Sequence, residues 1–172
     1  MIKELWILIK MLFGSRPSDF VYKDLEVITM RHFPFKGSRY MSWCGVIITR
    51  DEKKEVFERF LTVRAGRRSK NHERGHCVQG ISEHGDNWPR YYINYLWHWL
   101  KHCPWVKPGH AAYYVSRYEV ECYAKEDDFG YFDLENYTRK NLRGKYSIKN
   151  AKKLYKQLGG TPTAWKEYVK TL

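Results

Sequence analysis

The apolar residues of this chain are grouped in short runs, and their spacing predicts helices around one small β-structure. Residues 41–50 and 55–63 are rich in β-branched and aromatic side chains and are joined by the polar residues 51–54, which predicts a β-hairpin. The other apolar runs are typical of helices: 1–13, 70–78, 89–102, 111–129, 147–158 and 161–172. Together these patterns predict an α+β fold with a small antiparallel sheet.

The length and composition of the chain favour one globular domain. With 172 residues, of which 43% are apolar and 17% aromatic, the chain is long enough to bury a core of its own. We expect an N-terminal apolar helix within residues 1–20, a metal-binding core over 21–138, and basic C-terminal helices over 139–172 that pack on the same domain.

Two features bear on where the protein resides. The N-terminal apolar run is interrupted by Lys10 and is well short of the roughly 20 apolar residues that cross a bilayer, so we expect no transmembrane span. We favour a helix packed on the domain over one that lies at a membrane surface. The four cysteines form no C-x-x-C pair: Cys44, Cys77, Cys103 and Cys122. This usage favours a reducing compartment, so we expect a cytoplasmic protein, with peripheral membrane contact as the alternative.

One pentapeptide, H-E-R-G-H at residues 72–76, has the spacing of a metal site. On a helix, His72 and His76 lie one turn apart on the same face, where both can bind one Zn²⁺ ion. Glu73 lies beside them, in the position of a general base that takes a proton from a zinc-bound water and passes it to a leaving amine. The pattern therefore predicts a zinc site with hydrolytic chemistry.

Residues around the pentapeptide indicate its local structure. Ser69 is a suitable N-cap for a helix that begins at Lys70, which would put the motif in the first helical turns. Gly75 lowers helix stability by roughly 1 kcal/mol relative to alanine, so we expect another backbone to approach closely at this position.

A catalytic zinc needs a third protein ligand, and segment 111–129 offers the best candidates. On a helical wheel Glu119 shares a face with apolar residues, whereas Glu121 lies on the polar face of Arg117. An isolated buried charge is very costly, so a carboxylate on an apolar face must be paired or metal-bound. We therefore predict Glu119 as the third ligand, with Glu121 as the alternative. Glu126 is expected either to hydrogen-bond a ligand histidine or to form an ordinary salt bridge.

Side chains next to the predicted ligands have supporting roles in this interpretation. Tyr118 shares the face of Glu119 and is the favoured stabiliser of a developing oxyanion, ahead of Arg117. Cys77 and Cys122 flank the predicted ligands and are expected to pack as small apolar groups, with a thiolate ligand as the alternative.

With these residues, the chain resembles the gluzincins, which are zinc metallopeptidases with HExxH on one helix and a glutamate ligand on a later one. It is most similar to short bacterial proteins that carry H-E-x-x-H-x-x-Q and E-x-E-A-Y, matched here by 72–79 and 119–123, although Cys122 stands in place of the alanine. The resemblance covers about residues 30–135. It implies a zincin-like fold, a zinc cofactor and hydrolysis of peptide bonds in a peptide or protein substrate.

Two other signals indicate different functions. His98 and His102 repeat the spacing of the first histidine pair, but no glutamate accompanies them, and histidines in an aromatic segment are more often packed than metal-bound. The formal net charge of +12 is concentrated at 64–74 and 139–156 and would attract nucleic acid, an anionic membrane or an acidic protein. The alternatives to a peptidase are an inactive zincin-like protein that keeps zinc for its fold, and a basic nucleic-acid-binding protein.

Overall fold

The computed structural model describes residues 1–14, 25–34, 38–103, 110–138 and 145–172. Helices predominate in these ranges, and three strands form one small sheet within a single small domain, so the predicted α+β class is confirmed.

The sheet consists of β1 (Glu26–Met30), β2 (Met41–Trp43) and β3 (Val46–Arg50), with β3 in the centre. β1 pairs with β3 in parallel and β2 pairs with β3 antiparallel, so the sheet is mixed where the sequence predicts an antiparallel one. The antiparallel pair turns at Cys44 and Gly45, whose positive φ angles of 45° and 83° are typical of two-residue hairpin turns. β2 consequently forms one edge of the sheet.

The predicted second strand of the hairpin, residues 55–63, is a helix. Helix α2 covers Lys54–Thr62. Phe57 is buried in an apolar cluster, and Phe60 and Leu61 pack against the same cluster. This spacing of three and four residues belongs to one helical face. The helical period is thus a stronger signal here than the β-branched and aromatic composition, and the hairpin prediction is wrong for this half.

Helix α3 (Arg64–His84) carries the H-E-R-G-H motif and packs against α2 and against α4 (Trp88–Leu100). It begins well before Ser69, so the predicted start at Lys70 is wrong and the motif lies in the middle of the helix. Residues 75–80 are all buried, which shows that α3 is covered on every side at this point.

The segment predicted as one helix over 111–129 is divided in two. Helix α5 covers His110–Tyr114 and helix α6 covers Arg117–Lys125. The chain is extended at Ser116, with a ψ angle of 135°, and this residue breaks the helix. α6 packs against α3, and six consecutive residues, 118–123, are buried. The solvent-facing side that the helical wheel predicts for α6 is therefore covered as well.

Three further helices lie on the C-terminal side: α7 (Leu134–Thr138), α8 (Ala151–Gln157) and α9 (Pro162–Val169). α7 contacts α3, and α9 contacts α6. Trp165 of α9 is fully buried, and its indole Nε1 donates to the carbonyl of Tyr114 at 2.8 Å. Of the basic region predicted at 139–172, residues 139–144 lie outside the described part.

At the other end of the chain, helix α1 (Ile2–Phe13) packs on the domain through one face that includes the buried Leu8. Within the described ranges, no helix combines the length and the apolar character that a membrane crossing requires.

Candidate metal centre

The side chains of His72 and His76 converge in the interior of the domain. Their Nε2 atoms are 3.2 Å apart, and their rings are inclined by 79°. Only 5% of His72 and 9% of His76 is exposed. The helical spacing thus brings two potential ligand nitrogens to one point.

Glu119, on α6, meets both of these nitrogens. Its Oε2 lies 3.3 Å from Nε2 of His72, and its Oε1 lies 3.0 Å from Nε2 of His76. The hydroxyl of Tyr95, on α4, donates to the same Oε1 at 2.5 Å. Burial by itself would raise the pKa of Glu119, but the adjacent His76 and His72 outweigh it and hold that pKa well below its usual range. The buried group is therefore a carboxylate.

The three contacts have the dimensions of a metal-ligand set. Zinc bonds of about 2.0–2.1 Å place neighbouring nitrogen or oxygen ligands of a tetrahedron about 3.3 Å apart. The separations here are 3.2, 3.3 and 3.0 Å. Protons on both Nε2 atoms would be unfavourable, because the two N–H groups would point at each other as well as at Glu119. Oε2 of Glu119 is buried, and its 3.3 Å contact with Nε2 of His72 is its one polar contact among the described residues, so this oxygen can accept a cation.

A polar network fixes the orientation of the His76 ring. Nδ1 of His76 lies 3.2 Å from Oε1 of Gln79. The amide nitrogen of Gln79 donates to Oε2 of Glu121 at 2.8 Å and to the carbonyl of Tyr118 at 3.1 Å. Because this amide must then accept through Oε1, Nδ1 of His76 carries a proton, and Nε2 is the nitrogen that would bind a metal.

Glu121 is therefore part of the support for the site and does not point at the histidine Nε2 atoms. Only 2% of it is exposed, so its predicted place on a solvent face is wrong. The hydroxyls of Tyr131 and Tyr137 donate to it at 3.2 and 3.1 Å, in addition to the amide of Gln79. Burial raises the pKa of Glu121, against the effect of these donors.

Cys122 lies on the opposite side of the His76 ring. Potential ligand atoms of His72, His76 and Cys122 all lie within 4.8 Å of one another, so these residues form an alternative metal set. However, the Sγ atom of Cys122 is 3.5 Å from Nδ1 of His76, whereas Glu119 faces Nε2. A single ion cannot bind both ring nitrogens, and the shorter contacts favour Glu119.

Gly75 explains how α6 comes so close to α3. A Cβ atom at this position would lie 2.6 Å from Sγ of Cys122 and 2.7 Å from Cζ of Phe132. The predicted close approach is present, but two side chains make it where the sequence predicts a backbone.

Glu126 forms salt bridges, which is the second of its two predicted roles. Its Oε1 pairs with Arg68 and with Nζ of Lys170, the latter at 3.1 Å. Its Oε2 is 4.0 Å from Nδ1 of His72, beyond hydrogen-bond distance.

Glu73 lies between two cavities that approach the histidines from different sides. Both cavities are lined by Tyr40, Glu73 and Tyr113. The first has a volume of about 370 Å³ and reaches His76, and the second has a volume of about 300 Å³ and reaches His72. Burial raises the pKa of Glu73, with His72 and His76 acting in the opposite sense, and the side chain of Ser42 hydrogen-bonds to the carboxyl group.

The two cavities differ in character. The first is lined by the whole of β2 and by aromatic rings that include Trp88, Tyr92 and Tyr95. The second includes the ammonium-bearing Lys166, whose Nζ lies 4.0 Å from the ring centroid of Tyr123. A ligand that extends through both would meet an aromatic wall on one side of Glu73 and, on the other, a polar wall that includes Lys166 and Glu126.

Tyr118, the predicted oxyanion stabiliser, is not among the residues that line these two cavities. Its hydroxyl lies 3.1 Å from Nε2 of His84, two turns along α3 from His76. Arg117, the other predicted oxyanion stabiliser, forms a two-point ion pair with Glu83 at 2.6 and 3.3 Å. Both side chains are thus engaged away from Glu73.

The alternative histidine pair has different surroundings. The ring centroid of His98 is 5.4 Å from that of Tyr118. Burial, followed by the positive charge of Lys101, lowers the pKa of both His98 and His102 to about 4. These two histidines are therefore neutral at pH 7 in a positively charged environment.

No protein-family model matches the chain, and neither a curated protein nor a solved structure is significantly similar to it. The geometry of the site is therefore the basis for a functional proposal.

Several residues of the site are missing from the sequence prediction. Tyr40, Ser42, Tyr95 and Tyr113 come from elements that are remote from the motif along the chain. No local signal marks them among 14 tyrosines. Gln79 could have been identified from the sequence, because the H-E-x-x-H-x-x-Q pattern already includes it.

Proposed function

We propose that the protein is a zinc-dependent metallopeptidase in which His72, His76 and Glu119 hold the ion. One observation carries the proposal: two Nε2 atoms and one carboxylate converge within 3.3 Å, next to a glutamate that lines a cavity. Two imidazoles and one carboxylate form a donor set that suits zinc, and three protein ligands leave a position for water. The resemblance to the gluzincins implies the same set.

Glu73 is the general base in this proposal. Its burial raises its pKa, which makes its carboxylate a better acceptor for the proton of water. It accepts a proton from the attacking water and passes it to the leaving amine, and the hydrogen bond from Ser42 holds the carboxyl group in place. A bound zinc would polarise the scissile carbonyl and make the water more acidic.

Tyr113 and Tyr40 replace Tyr118 as candidates for stabilising the developing oxyanion. Both line the two cavities beside Glu73. Burial raises the pKa of Tyr40 to about 12 and that of Tyr113 well above its usual value, so both hydroxyls keep their protons and can donate.

The substrate in this proposal is an extended peptide. β2 is a sheet edge, and all three of its residues line the first cavity, so a peptide can pair with it through main-chain hydrogen bonds. The aromatic wall favours a large apolar side chain on that side of the scissile bond. On the other side Lys166 favours a polar or acidic group, because the carboxylate of Glu126 in the same cavity is already paired with Lys170.

The decisive variant is Glu73→Gln, tested on a diverse peptide library. It should keep zinc, since Glu73 is not a ligand, and should lose hydrolysis by several orders of magnitude, since proton transfer is removed. Glu58→Gln is a matched control, because Glu58 is exposed on α2. Zinc content is measured by elemental analysis of protein purified without added metal.

Two outcomes would contradict the proposal. Cleavage that survives Glu73→Gln would remove Glu73 from the mechanism. A wild-type protein that holds zinc through a fourth protein ligand and cleaves no peptide would be a structural zinc protein.

A further inference from the structure

Helix α1 presents an apolar stripe to solvent. Ile2, Trp6, Ile9 and Phe13 recur at intervals of three and four residues, and 81%, 57%, 37% and 74% of these side chains is exposed. Large apolar side chains are seldom concentrated in this way on a surface that stays in water, and such a patch indicates an interaction site.

The opposite face of α1 is anchored to the domain. The indole Nε1 of Trp43 donates to the carbonyl of Leu8 at 3.0 Å. The carboxylate of Glu4 accepts from the backbone of Arg31 at 2.7 Å and lies 2.6 Å from Nδ1 of His32. The outward stripe is consequently presented by a helix that is held in a defined orientation.

Positive charge lies beside the stripe. Lys3 and Lys10 are two turns apart and therefore lie on the same flank of α1, and Nζ of Lys10 is 5.8 Å from the ring centroid of Trp6. The whole chain carries a formal net charge of +12. Two copies that met through α1 would bring these charges together, so charge complementarity disfavours a second copy and favours a negatively charged surface.

Helix α4, which neighbours α1, also exposes large apolar side chains. α4 packs against α1, and its own exposed apolar residues recur at helical spacing: Ile93, Leu96, Trp97 and Leu100. Trp43, which bonds to α1, also stacks on Tyr92 of α4 with ring centroids 4.6 Å apart.

We propose that α1 lies in the interfacial plane of an anionic lipid bilayer, with its apolar stripe among the acyl chains and Lys3 and Lys10 at the headgroups. With 12 residues, α1 is too short to span a bilayer but long enough to lie in its interface. The interaction is independent of the proposed peptidase activity.

Flotation of the full chain with lipid vesicles tests the proposal. Vesicles of phosphatidylcholine containing ~30 mol% phosphatidylserine should bind the protein, and vesicles of phosphatidylcholine alone should bind it much more weakly. The double variant Trp6→Ser, Phe13→Ser should lose roughly tenfold or more in affinity. Val56→Ser with Val63→Ser is the matched control, because both valines are exposed elsewhere and should change nothing.

The charge contribution is tested separately. Lys3→Gln with Lys10→Gln should lower binding by roughly fivefold per lysine, whereas Lys149→Gln with Lys153→Gln should have little effect. Circular dichroism of each variant verifies that it is folded. The proposal is overturned if the α1 variants float like the wild type, if neutral vesicles bind equally well, or if the stripe proves to join two copies in solution and no vesicle binds.

Discussion

Two histidine pairs of this protein have identical spacing: His72 and His76 lie on α3, whereas His98 lies in the last turn of α4 and His102 in the turn that follows its end at Leu100. On α3 both Nε2 atoms meet the carboxylate of Glu119 within 3.3 Å. In the second pair His98 lies near the ring of Tyr118, and burial together with nearby positive charge lowers the pKa of both His98 and His102 to about 4.

The difference between the two histidine pairs arises from α6, which packs against α3. α6 turns Glu119 towards α3, while Tyr118, one residue earlier on the same helix, turns its ring towards His98. Helical spacing alone thus does not distinguish the two pairs, whereas the carboxylate from a second helix completes the candidate ligand set on α3 only.

The largest expected effect is on metal content. His72→Ala and His76→Ala should each lower zinc affinity by about a hundredfold or more, because one of few ligands is lost. His98→Ala and His102→Ala should keep one zinc per chain. Native mass spectrometry counts the metal in all four variants, and the reverse pattern would move the site to α4.

A smaller effect should separate the two glutamates of α6. Glu119→Gln should lower zinc affinity by about tenfold to a hundredfold, since the charged ligand is lost. Glu121→Gln should instead lower the free energy of unfolding by about 1–3 kcal/mol, because an amide would face the donors of Gln79, Tyr131 and Tyr137. Zinc titration and urea unfolding of both variants measure the two quantities. A larger loss of zinc in Glu121→Gln than in Glu119→Gln would invert the assignment.

The smallest effect concerns acid stability. In the unfolded chain His98 and His102 take up protons near pH 6.5, but in the folded protein only near pH 4. The unfolded state thus binds more protons between these values, so stability is lost as the pH falls from 6.5 towards 4. Burial is the main cause of both shifts, Lys101, Arg117 and Lys152 add to it, and Glu83 opposes the shift of His98.

The double variant His98→Gln, His102→Gln isolates this contribution. With metal removed by a chelator, its urea midpoint should depend less on pH between 6.5 and 4 than that of the wild type. An unchanged slope would show that the two histidines are equally basic in the folded and unfolded states.

The sequence supports part of the site because the relevant signals are local. The distance of four residues between His72 and His76 follows from helical geometry once the segment is helical. Glu119 is recognisable as a carboxylate among apolar residues, and its burial agrees with that prediction. Its role as a metal ligand stays a prediction.

Other features depend on contacts between remote segments. The helical wheel of an isolated helix places Glu121 on the solvent side. In the folded protein Gln79 of α3 and the hydroxyls of Tyr131 and Tyr137 enclose its carboxyl group. The break at Ser116 and the helical state of 54–62 are likewise set by packing, which outweighs the weak local preferences of single residues.

The sequence by itself therefore determined the four-residue spacing of two histidine pairs, the glutamate beside one of them, and the α+β class. Only the tertiary structure decided which pair faces a carboxylate, because that depends on how α6 is rotated against α3. Gly75 illustrates both contributions, that of the sequence and that of the tertiary structure. Its missing side chain is visible in the sequence, but only the packing of Cys122 and Phe132 against it shows why α6 can lie close enough to bring Glu119 to the histidines.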